Sequence, residues 1–255
     1  SEKRMRYPYT SEVISVNKLS NQYAVLKIQK PENPAFVYEA GQYLHLCIAG
    51  FEPRPFSIAN GNTSSYLEFH IENRSGGTGE YVFEKLKPGD IIGFDGPHGN
   101  AVYHSNCELP VIGIGGGTGI APLKAIVDEY IAKSGEQKFS LYHGSVYDDG
   151  LYMHDYFRKL ASDKNTFAYK GVYEEQRVKS DPACETMVKG RLDRAVLKDC
   201  PDLSGYRVYI FGSKGMVKGI VQIFMVHGMN PACLHTDCPL NELETELKVQ
   251  SKYAT

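Results

Sequence analysis

The chain has 255 residues and is 42% hydrophobic, which is enough to bury the cores of two medium-sized domains. Its 28 basic and 30 acidic residues are interspersed and give a formal net charge of −2, so we expect neither nucleic acid nor an anionic membrane as a partner. There is no long apolar run and no signal-peptide pattern, and six scattered cysteines are typical of reduced thiols, so we expect a cytoplasmic protein without a membrane span. No cysteine spacing predicts a metal or iron–sulfur site.

Residues 1–106 are expected to form an antiparallel β-barrel. Short runs rich in Val, Ile, Tyr and Phe, separated by Gly, Pro and Asn, are typical of such barrels. The predicted strands are EVISVNKLS, YAVLKIQK, QYLHLCI, YLEFHIEN and DIIGFDG. A short helix is expected at Glu80–Leu86, and Gly96-Pro97-His98-Gly99 is expected to form a turn that closes the barrel.

Residues 107–255 are expected to form an α/β domain, followed by a C-terminal tail. Apolar strands alternate with amphipathic helices, which indicates a parallel sheet flanked by helices. The predicted order is strand 111–114, helix 122–133, strand 139–144, helix 152–161, strand 166–172, a short helix 193–197, strand 207–212, helix 216–227 and strand 232–235. Pro122 suits the first helical position, where its missing N–H has no cost.

A glycine-rich loop follows the first strand of this second domain. Glycines at 115, 116, 117 and 119 leave backbone N–H groups uncovered where a helix begins, an arrangement that suits a phosphate. The loop matches neither G-x-G-x-x-G nor a P-loop. A purely structural glycine turn therefore stays open as an alternative.

The first domain carries three further motifs. Arg54-Pro55-Phe56-Ser57 offers an arginine, an aromatic ring and a hydroxyl on extended chain, which suits a ligand with a phosphate, a flat ring and a polar ring edge. A solvent arginine beside a core phenylalanine explains the same residues equally well. The second motif is the glycine cluster Ser75–Gly79 at a helix start, and the third is the turn around His98.

Taken in order, these motifs resemble those of the ferredoxin–NADP reductase superfamily. R-P-F-S resembles its flavin motif R-x-[YF]-S, and G-G-T-G, G-P-H-G and G-G-G-T-G-I-A-P follow it. Tyr209–Met216 then resembles the family's Y-x-C-G-P-x-x-M. Within the superfamily the chain looks like the compact NAD(P)H–flavin reductases and the reductase halves of bacterial oxygenase systems, without a ferredoxin domain.

The resemblance implies a role for each matched residue. Arg54 would pair with a flavin phosphate, Phe56 would lie against the flavin, and Ser57 would act at the N5 edge that accepts hydride. Pro55, between them, would be a further cofactor-binding residue. The remaining implied flavin contacts are the backbone of His70, Ile71 and Glu72, and Gly77, Thr78 and Gly79. For the nicotinamide nucleotide they are Gly117, Thr118 and Gly119 at the pyrophosphate, with Gly212 and Met216 lining the nicotinamide approach.

Three features depart from the family's pattern. Gly79 stands where the family has a small hydroxyl residue, which leaves the tightness of flavin binding open. Phe211 replaces a cysteine where the nicotinamide should stack, as though this site must open before hydride transfer. The chain also runs past Asp237 to Thr255, so the family's C-terminal aromatic over the flavin is absent.

The activity that the resemblance implies is hydride transfer from NAD(P)H to flavin N5, followed by electron transfer to free flavin or to a protein acceptor. FAD is favoured over FMN because a glycine cluster at a helix start suits a pyrophosphate. Whether the flavin is a cofactor or an exchangeable substrate stays open. So do two alternatives: an electron-transfer subunit of a multicomponent oxygenase, and a nucleotide-sensing module without catalysis.

The end of the strand Phe139–Gly144 predicts the coenzyme. Asp148 and Asp149 follow it, and no Arg or Lys comes before Arg158. A carboxylate accepts hydrogen bonds from a ribose diol and repels a 2′-phosphate, so we expect NADH to be preferred over NADPH by at least about tenfold. The alternative is that both aspartates only cap the next helix.

Overall fold

A computed structural model describes residues 7–178 and 186–238 of the chain. The described chain forms two compact units. The first comprises the described residues of Ser1–Asn106 together with Ala121–Gly135, and the second comprises those of Cys107–Ile120 and Glu136–Thr255. The domain ranges 1–106 and 107–255 remain predictions, since the unit containing the first range also holds a later segment. The tail from Pro239 onward lies outside the described residues.

The first unit is an antiparallel, barrel-like sheet, as the sequence predicts. Its elements are β1 (Tyr9–Lys18), β2 (Tyr23–Gln29), β3 (Tyr43–Cys47), β4 (Arg54–Ser57), β5 (Tyr66–Glu72), β6 (Ile91–His98) and the helix α1 (Thr78–Glu84). The strand order is β4-β3-β6-β1-β2-β5. Beyond the end of β4, the N–H of Ala59 donates to the carbonyl of Glu68 on β5 at 2.7 Å, which links the two edges of the sheet.

Alternation along the strands builds the core of this unit. On β3, Leu44 and Leu46 are fully buried, whereas Tyr43, His45 and Cys47 are half-buried on the opposite face. This is the inward and outward alternation that a one-sided core requires. The core also includes Leu26, Ile28, Phe36, Ile48, Leu67, Phe69, Ile71, Ile92 and Phe94.

The motif Gly96–Gly99 is not the isolated turn that the sequence predicts. Gly96, Pro97 and His98 belong to the end of β6, where the pairing with β3 shifts register between Tyr43 and His45. Gly96 adopts φ +135° at this irregularity, a backbone conformation that side chains rarely allow. The glycine is therefore explained by a β-bulge.

The second unit is built on a parallel sheet, also as predicted. Its strands are β7 (Val111–Gly116), β8 (Phe139–Tyr147), β9 (Phe167–Glu175), β10 (Met187–Lys189), β11 (Arg207–Phe211) and β12 (Leu234–His235), in the order β10-β9-β8-β7-β11-β12. The helices that follow these strands are α2 (Ile120–Ala132), α3 (His154–Asp163), α4 (Leu192–Asp199) and α5 (Lys214–Val226). Residues 121–132 of α2 group with the barrel.

Several predicted boundaries were wrong by a few residues. Gly117–Gly119 form a 3₁₀ turn and α2 begins at Ile120, so Pro122 is its third residue. It is tolerated there because N–H groups in the first turn have no intrahelical acceptor. The helix α5 begins at Lys214 because the side chain of Ser213 caps it, accepting the N–H of Met216.

Among the residues that the structure describes, none of the helices combines the length and apolar character needed to cross a bilayer.

Candidate functional site

The motif Arg54–Ser57 lies at the edge of the first sheet. Arg54 is exposed on β4, and no carboxylate of the described residues forms an ion pair with it. Phe56 packs partly against the core and sits opposite Leu44, whereas Ser57 sits opposite Tyr43 on the other face. The arginine is therefore positioned to bind an anion, and the serine hydroxyl projects from the alternate face of the strand.

The glycine cluster before α1 combines two kinds of glycine. A Cβ added to Gly76 or Gly77 would meet no atom within 4 Å. A Cβ on Gly79 would overlap the carbonyl oxygen of Glu72 and lie 3.2 Å from the N of Arg74. The open space at Gly77 allows a ligand to approach the backbone, while Gly79 is required for packing of the helix on β5. Thr78 between them is 4% exposed.

The end of β4, the strand β5 and the glycine cluster before α1 lie along one strip of the first unit. The chain passes from Ser57 to Ala59, which is hydrogen-bonded to β5, and β5 ends at Glu72 against Gly79. His70 and Ile71 are buried as whole residues, whereas Glu72 at the end of β5 is half-buried. The backbone contacts that the resemblance implies for 70–72 stay a prediction.

A buried charged cluster supports this strip, and the sequence reasoning missed it. Lys124 of α2 places its Nζ 3.3 Å from the Glu68 carboxylate and 3.4 Å from the carbonyl of Ala59. His70 Nε2 lies 2.9 Å from the same carboxylate. The available signal was a lysine within the apolar run of a helix, and its partners are more than fifty residues away in the chain.

The ionisation of this cluster follows from burial and pairing. Burial raises the pKa of Glu68, but the hydrogen bond from His70 and the charge of Lys124 outweigh it and hold the pKa below its ordinary value. Burial lowers the pKa of His70 by more than Glu68 raises it. At neutral pH a carboxylate therefore pairs with a lysine beside a neutral imidazole, and together they fix the segment just beyond Ser57.

In the second unit, the glycine loop after β7 also combines glycines that are packed against backbone with a glycine that borders open space. A Cβ on Gly119 would overlap the carbonyl of Phe211, with the carbonyl carbon at 2.6 Å, and one on Gly115 would lie 2.8 Å from the N of Ile120. Gly117 has φ +56° and nothing within 4 Å of an added Cβ. Its carbonyl lies 2.8 Å from Nε2 of the buried His143. Gly117 and the half-buried Thr118 therefore border open space, whereas Gly115 and Gly119 are needed for packing.

The motif Tyr209–Met216 lies directly beside this loop. The side chain of Met216 covers both Gly116 and Gly212, because a Cβ on Gly212 would lie 2.9 Å from its Sδ. The structure thus brings Gly212 and Met216 to the loop that contains Gly117–Gly119. Phe211 is 3% exposed in β11 and contacts the loop through its carbonyl group.

The aspartates after β8 are placed differently from the expectation. β8 extends to Tyr147, and Asp148 is 4% exposed in a 3₁₀ turn. Its carboxylate accepts the backbone N–H groups of Arg177 at 2.8 Å and of Val178 at 3.2 Å. Asp148 therefore secures the segment after β9, and its hydrogen-bonding capacity is used within the protein. It does not cap the next helix either, since α3 begins at His154.

The expectation that no cation lies at this strand end was wrong. The Arg177 guanidinium donates two hydrogen bonds to Asp149, at 2.9 and 3.1 Å, and lies 4.0 Å from the ring centroid of Tyr147. The hydrogen bond to Asp149 raises the pKa of Arg177. The two residues are 28 positions apart, so no local pattern links them. The exposed carboxylate of this edge is Asp149, and it is already paired.

Comparison with known domain families gives two matches, the second of which includes α2, although α2 groups with the first unit in the structure. Residues 10–103 match the oxidoreductase FAD-binding domain, and residues 114–222 match the oxidoreductase NAD-binding domain. Each of the two glycine loops falls within one of these matches.

Individual relatives give a consistent comparison. The chain is 28% identical over 223 residues to the CDP-6-deoxy-L-threo-D-glycero-4-hexulose-3-dehydrase reductase of Yersinia pestis, covering 87% of this chain and 65% of that protein. It is 30% identical over 213 residues to the ferredoxin–NAD(P)(+) reductase component of the naphthalene 1,2-dioxygenase system of Pseudomonas putida, covering 83% and 62%. The chain thus spans slightly less than two thirds of the length of these relatives.

Solved structures share the fold. The Amycolatopsis cytochrome P450 reductase GcoB superposes with a TM-score of 0.80 at 28% identity, over 90% of this chain and 68% of that one. A ferredoxin NADP+ reductase from Neisseria gonorrhoeae, solved with FAD and NADP, gives a TM-score of 0.75 at 19% identity over 90% and 98%.

Proposed function

The chain belongs to the ferredoxin–NADP reductase superfamily, and on this basis we propose that it is a flavin-dependent oxidoreductase. It would take hydride from NAD(P)H onto flavin N5 and pass the electrons to free flavin or to a protein acceptor. One observation carries the proposal: in each of the two glycine loops, at least one glycine borders open space while another is fixed by packing. At Gly77, which has φ −157°, neither packing nor a positive φ requires glycine, and this supports a ligand beside the backbone there.

The residues of the first unit fit an FAD molecule. Arg54 would hold a phosphate by a charge-assisted hydrogen bond, and the backbone around Gly77 and Thr78 would bind the pyrophosphate. Phe56 would support the flavin ring, and Ser57 would donate to its polar edge. The flavin supplies the redox chemistry when bound, and the protein supplies proximity and orientation.

The residues of the second unit fit a nicotinamide dinucleotide. Gly117, Thr118 and Gly119 would bind its pyrophosphate, and Gly212 and Met216 would line the approach of the nicotinamide. No side chain has to act as a general base in this reaction. The role of the protein would be to orient the nucleotide so that its hydride is directed toward flavin N5.

A specific observation favours an electron-transfer subunit as the second candidate. Several relatives are named as reductase components of dioxygenase systems, which supports a protein electron acceptor. The nucleotide-sensing alternative is weaker than the sequence suggested. Gly79 and Phe211 were its only support; Gly79 has a packing explanation, and Phe211 is buried in β11.

We also propose a cytoplasmic location. The five described cysteines form no disulfide, which is typical of a reducing compartment.

The decisive experiment measures NADH consumption by the full chain with and without added FAD. We expect protein that is yellow or binds added FAD, and turnover with an artificial electron acceptor. Turnover that needs added flavin would identify the flavin as a substrate. Protein that neither binds flavin nor oxidises NADH or NADPH in its presence would contradict the proposal.

Two substitutions separate the roles of the β4 motif. Ser57→Ala should slow hydride transfer more than it weakens FAD binding, because a hydroxyl at the reacting edge acts mainly in the transition state. Arg54→Ala should do the reverse, since it removes a charged phosphate contact. Stopped-flow reduction and flavin titration measure the two effects. Equal losses of FAD affinity in both variants would contradict this division.

We propose that NADH is preferred over NADPH by at least about tenfold in kcat/KM, or roughly 1.4 kcal/mol. We attribute the discrimination between the two coenzymes to Asp149 and its partner Arg177, because the carboxylate of Asp148 accepts backbone N–H groups of the segment after β9. Asp149→Asn should leave Arg177 without a neutralising charge and bring the two coenzymes to within about threefold of each other.

The matched control for this test is Asp155→Asn, at an aspartate whose side chain is 92% exposed and pairs with Arg158. It should leave the ratio unchanged. A wild-type protein without preference, or a ratio that Asp149→Asn does not move, would show that the ribose lies elsewhere.

A further inference from the structure

Three metal-ligating side chains meet on the outer face of the barrel, on strands that also carry the G-P-H-G motif and border Ser57. Nδ1 of His45, on β3, lies 3.1 Å from Oδ1 of Asp95, on β6. Nε2 of His98 lies 2.7 Å from the same oxygen. One donor atom from each residue can be chosen so that all three lie within 4.8 Å of one another. No ligand spacing along the sequence predicts this cluster, since His45 and Asp95 are 50 positions apart.

The bulge in β6 assembles the cluster. Tyr43 is opposite His98 and His45 is opposite Asp95, so two steps on β3 match three steps on β6. In a regular strand, residues three apart point to opposite faces. The extra residue places Asp95 and His98 on the same face, and Gly96 at φ +135° makes the irregularity possible.

Neighbouring rings restrict the orientation of both histidines. The centroids of the His45 and His98 rings are 4.4 Å apart. The ring of Tyr43 lies 5.7 Å from the first and 5.5 Å from the second. The donor atoms are therefore held close together by the two strands and by packing of the rings.

We propose that His45, Asp95 and His98 form a binding site for a divalent transition-metal ion such as Zn²⁺. Two imidazoles and one carboxylate are a ligand set that such ions prefer. Zinc bonds of about 2.0–2.2 Å hold neighbouring ligand atoms roughly 3.3 Å apart, close to the two nitrogen–oxygen separations of 3.1 and 2.7 Å found here. The ion takes the place of the two hydrogen bonds to Asp95, and each imidazole then carries its proton on its other ring nitrogen.

The site is open to solvent on one side. The three side chains are 38%, 40% and 37% exposed in the order His45, Asp95 and His98. Metal can therefore enter without unfolding of the barrel, and water completes the coordination. The face is shared with Ser57, which pairs with the other side of Tyr43 on β3.

The test is calorimetric titration of ZnCl₂ into the full chain. We expect saturable binding with one ion at this site, and a rise in melting temperature with added Zn²⁺. His45→Gln, Asp95→Asn and His98→Gln should each weaken this binding by about tenfold or more. Their melting temperatures without metal should stay close to that of the wild type, which shows that they fold.

Two controls separate this site from other zinc ligands. Cys47→Ser, two residues from His45 on the same face, should retain the binding, as should His227→Gln in the second unit. An anomalous difference peak between the three residues in Zn²⁺-soaked crystals should locate the ion. Absence of saturable binding, or binding that survives all three ligand substitutions, would overturn the proposal.

Discussion

The two glycine loops, Gly76–Gly79 before α1 and Gly115–Gly119 before α2, look alike in sequence and differ in how their glycines are used. In the first loop one glycine is packed against backbone and two border open space. In the second, Gly115 and Gly119 are packed against backbone, Gly116 lies under a methionine, and only Gly117 borders open space. The comparison shows that most glycines of the loop before α2 serve the fold, whereas those of the loop before α1 leave more backbone available to a ligand.

Gly119→Ala should have the largest effect and tests the packing role in the second loop. The new Cβ would lie within 3.0 Å of three backbone atoms in the segment Phe211–Gly212, none of which is the end of a flexible side chain. We expect a loss of about 3 kcal/mol in the free energy of unfolding, measured by urea denaturation. A loss below about 1 kcal/mol would show that the loop adjusts and that its glycines are not there for packing.

Gly79→Ala should have a smaller effect on stability. Its Cβ would overlap one carbonyl oxygen, that of Glu72, while the next atoms are at 3.2 and 3.5 Å. We expect a loss of about 2 kcal/mol, by the same measurement. An effect larger than that of Gly119→Ala would reverse the order that the comparison predicts.

Gly117→Ala and Gly77→Ala should change stability least and ligand binding most. Gly117 has φ +56°, so alanine there should cost about 1 kcal/mol, whereas alanine at Gly77 should stay within about 0.5 kcal/mol of the wild type. Each Cβ enters the space where a phosphate would approach the backbone. We expect KM for NADH to rise about tenfold in Gly117→Ala and the Kd for FAD to rise about tenfold in Gly77→Ala.

The two variants serve as controls for each other. Gly117→Ala should bind FAD normally, and Gly77→Ala should show a normal KM for NADH once it is saturated with FAD. If either substitution weakens both ligands equally, the assignment of one loop to each ligand is wrong.

The sequence predicted the features of the fold that depend on local pattern. Strand alternation, helix periodicity and the order of the motifs gave the barrel and the parallel sheet. The positions of Arg54, Ser57 and Gly117 also follow from local pattern, although their contacts with ligands remain predictions.

What could not be predicted depends on chain segments that are distant in sequence. Arg177 reaches Asp149 across 28 positions, and Lys124 reaches Glu68 from a helix of the other predicted domain. The bulge at Gly96 is a property of the register between two strands, which neither strand reveals alone. Each of these depends on tertiary packing that overrides what the neighbouring residues indicate.

The position of Lys124 determines where the protein can be recombined. A crossover at Asn106 would separate Glu68 from Lys124, and would also remove Asp128 and Glu129, whose carboxylates accept the backbone N–H groups of Gly61 and Asn62 at 3.2 and 3.1 Å. A buried carboxylate without its lysine is strongly destabilising. A chimera assembled from two related reductases would therefore have to inherit the barrel and α2 from the same parent, whichever parent supplies the rest of the parallel sheet.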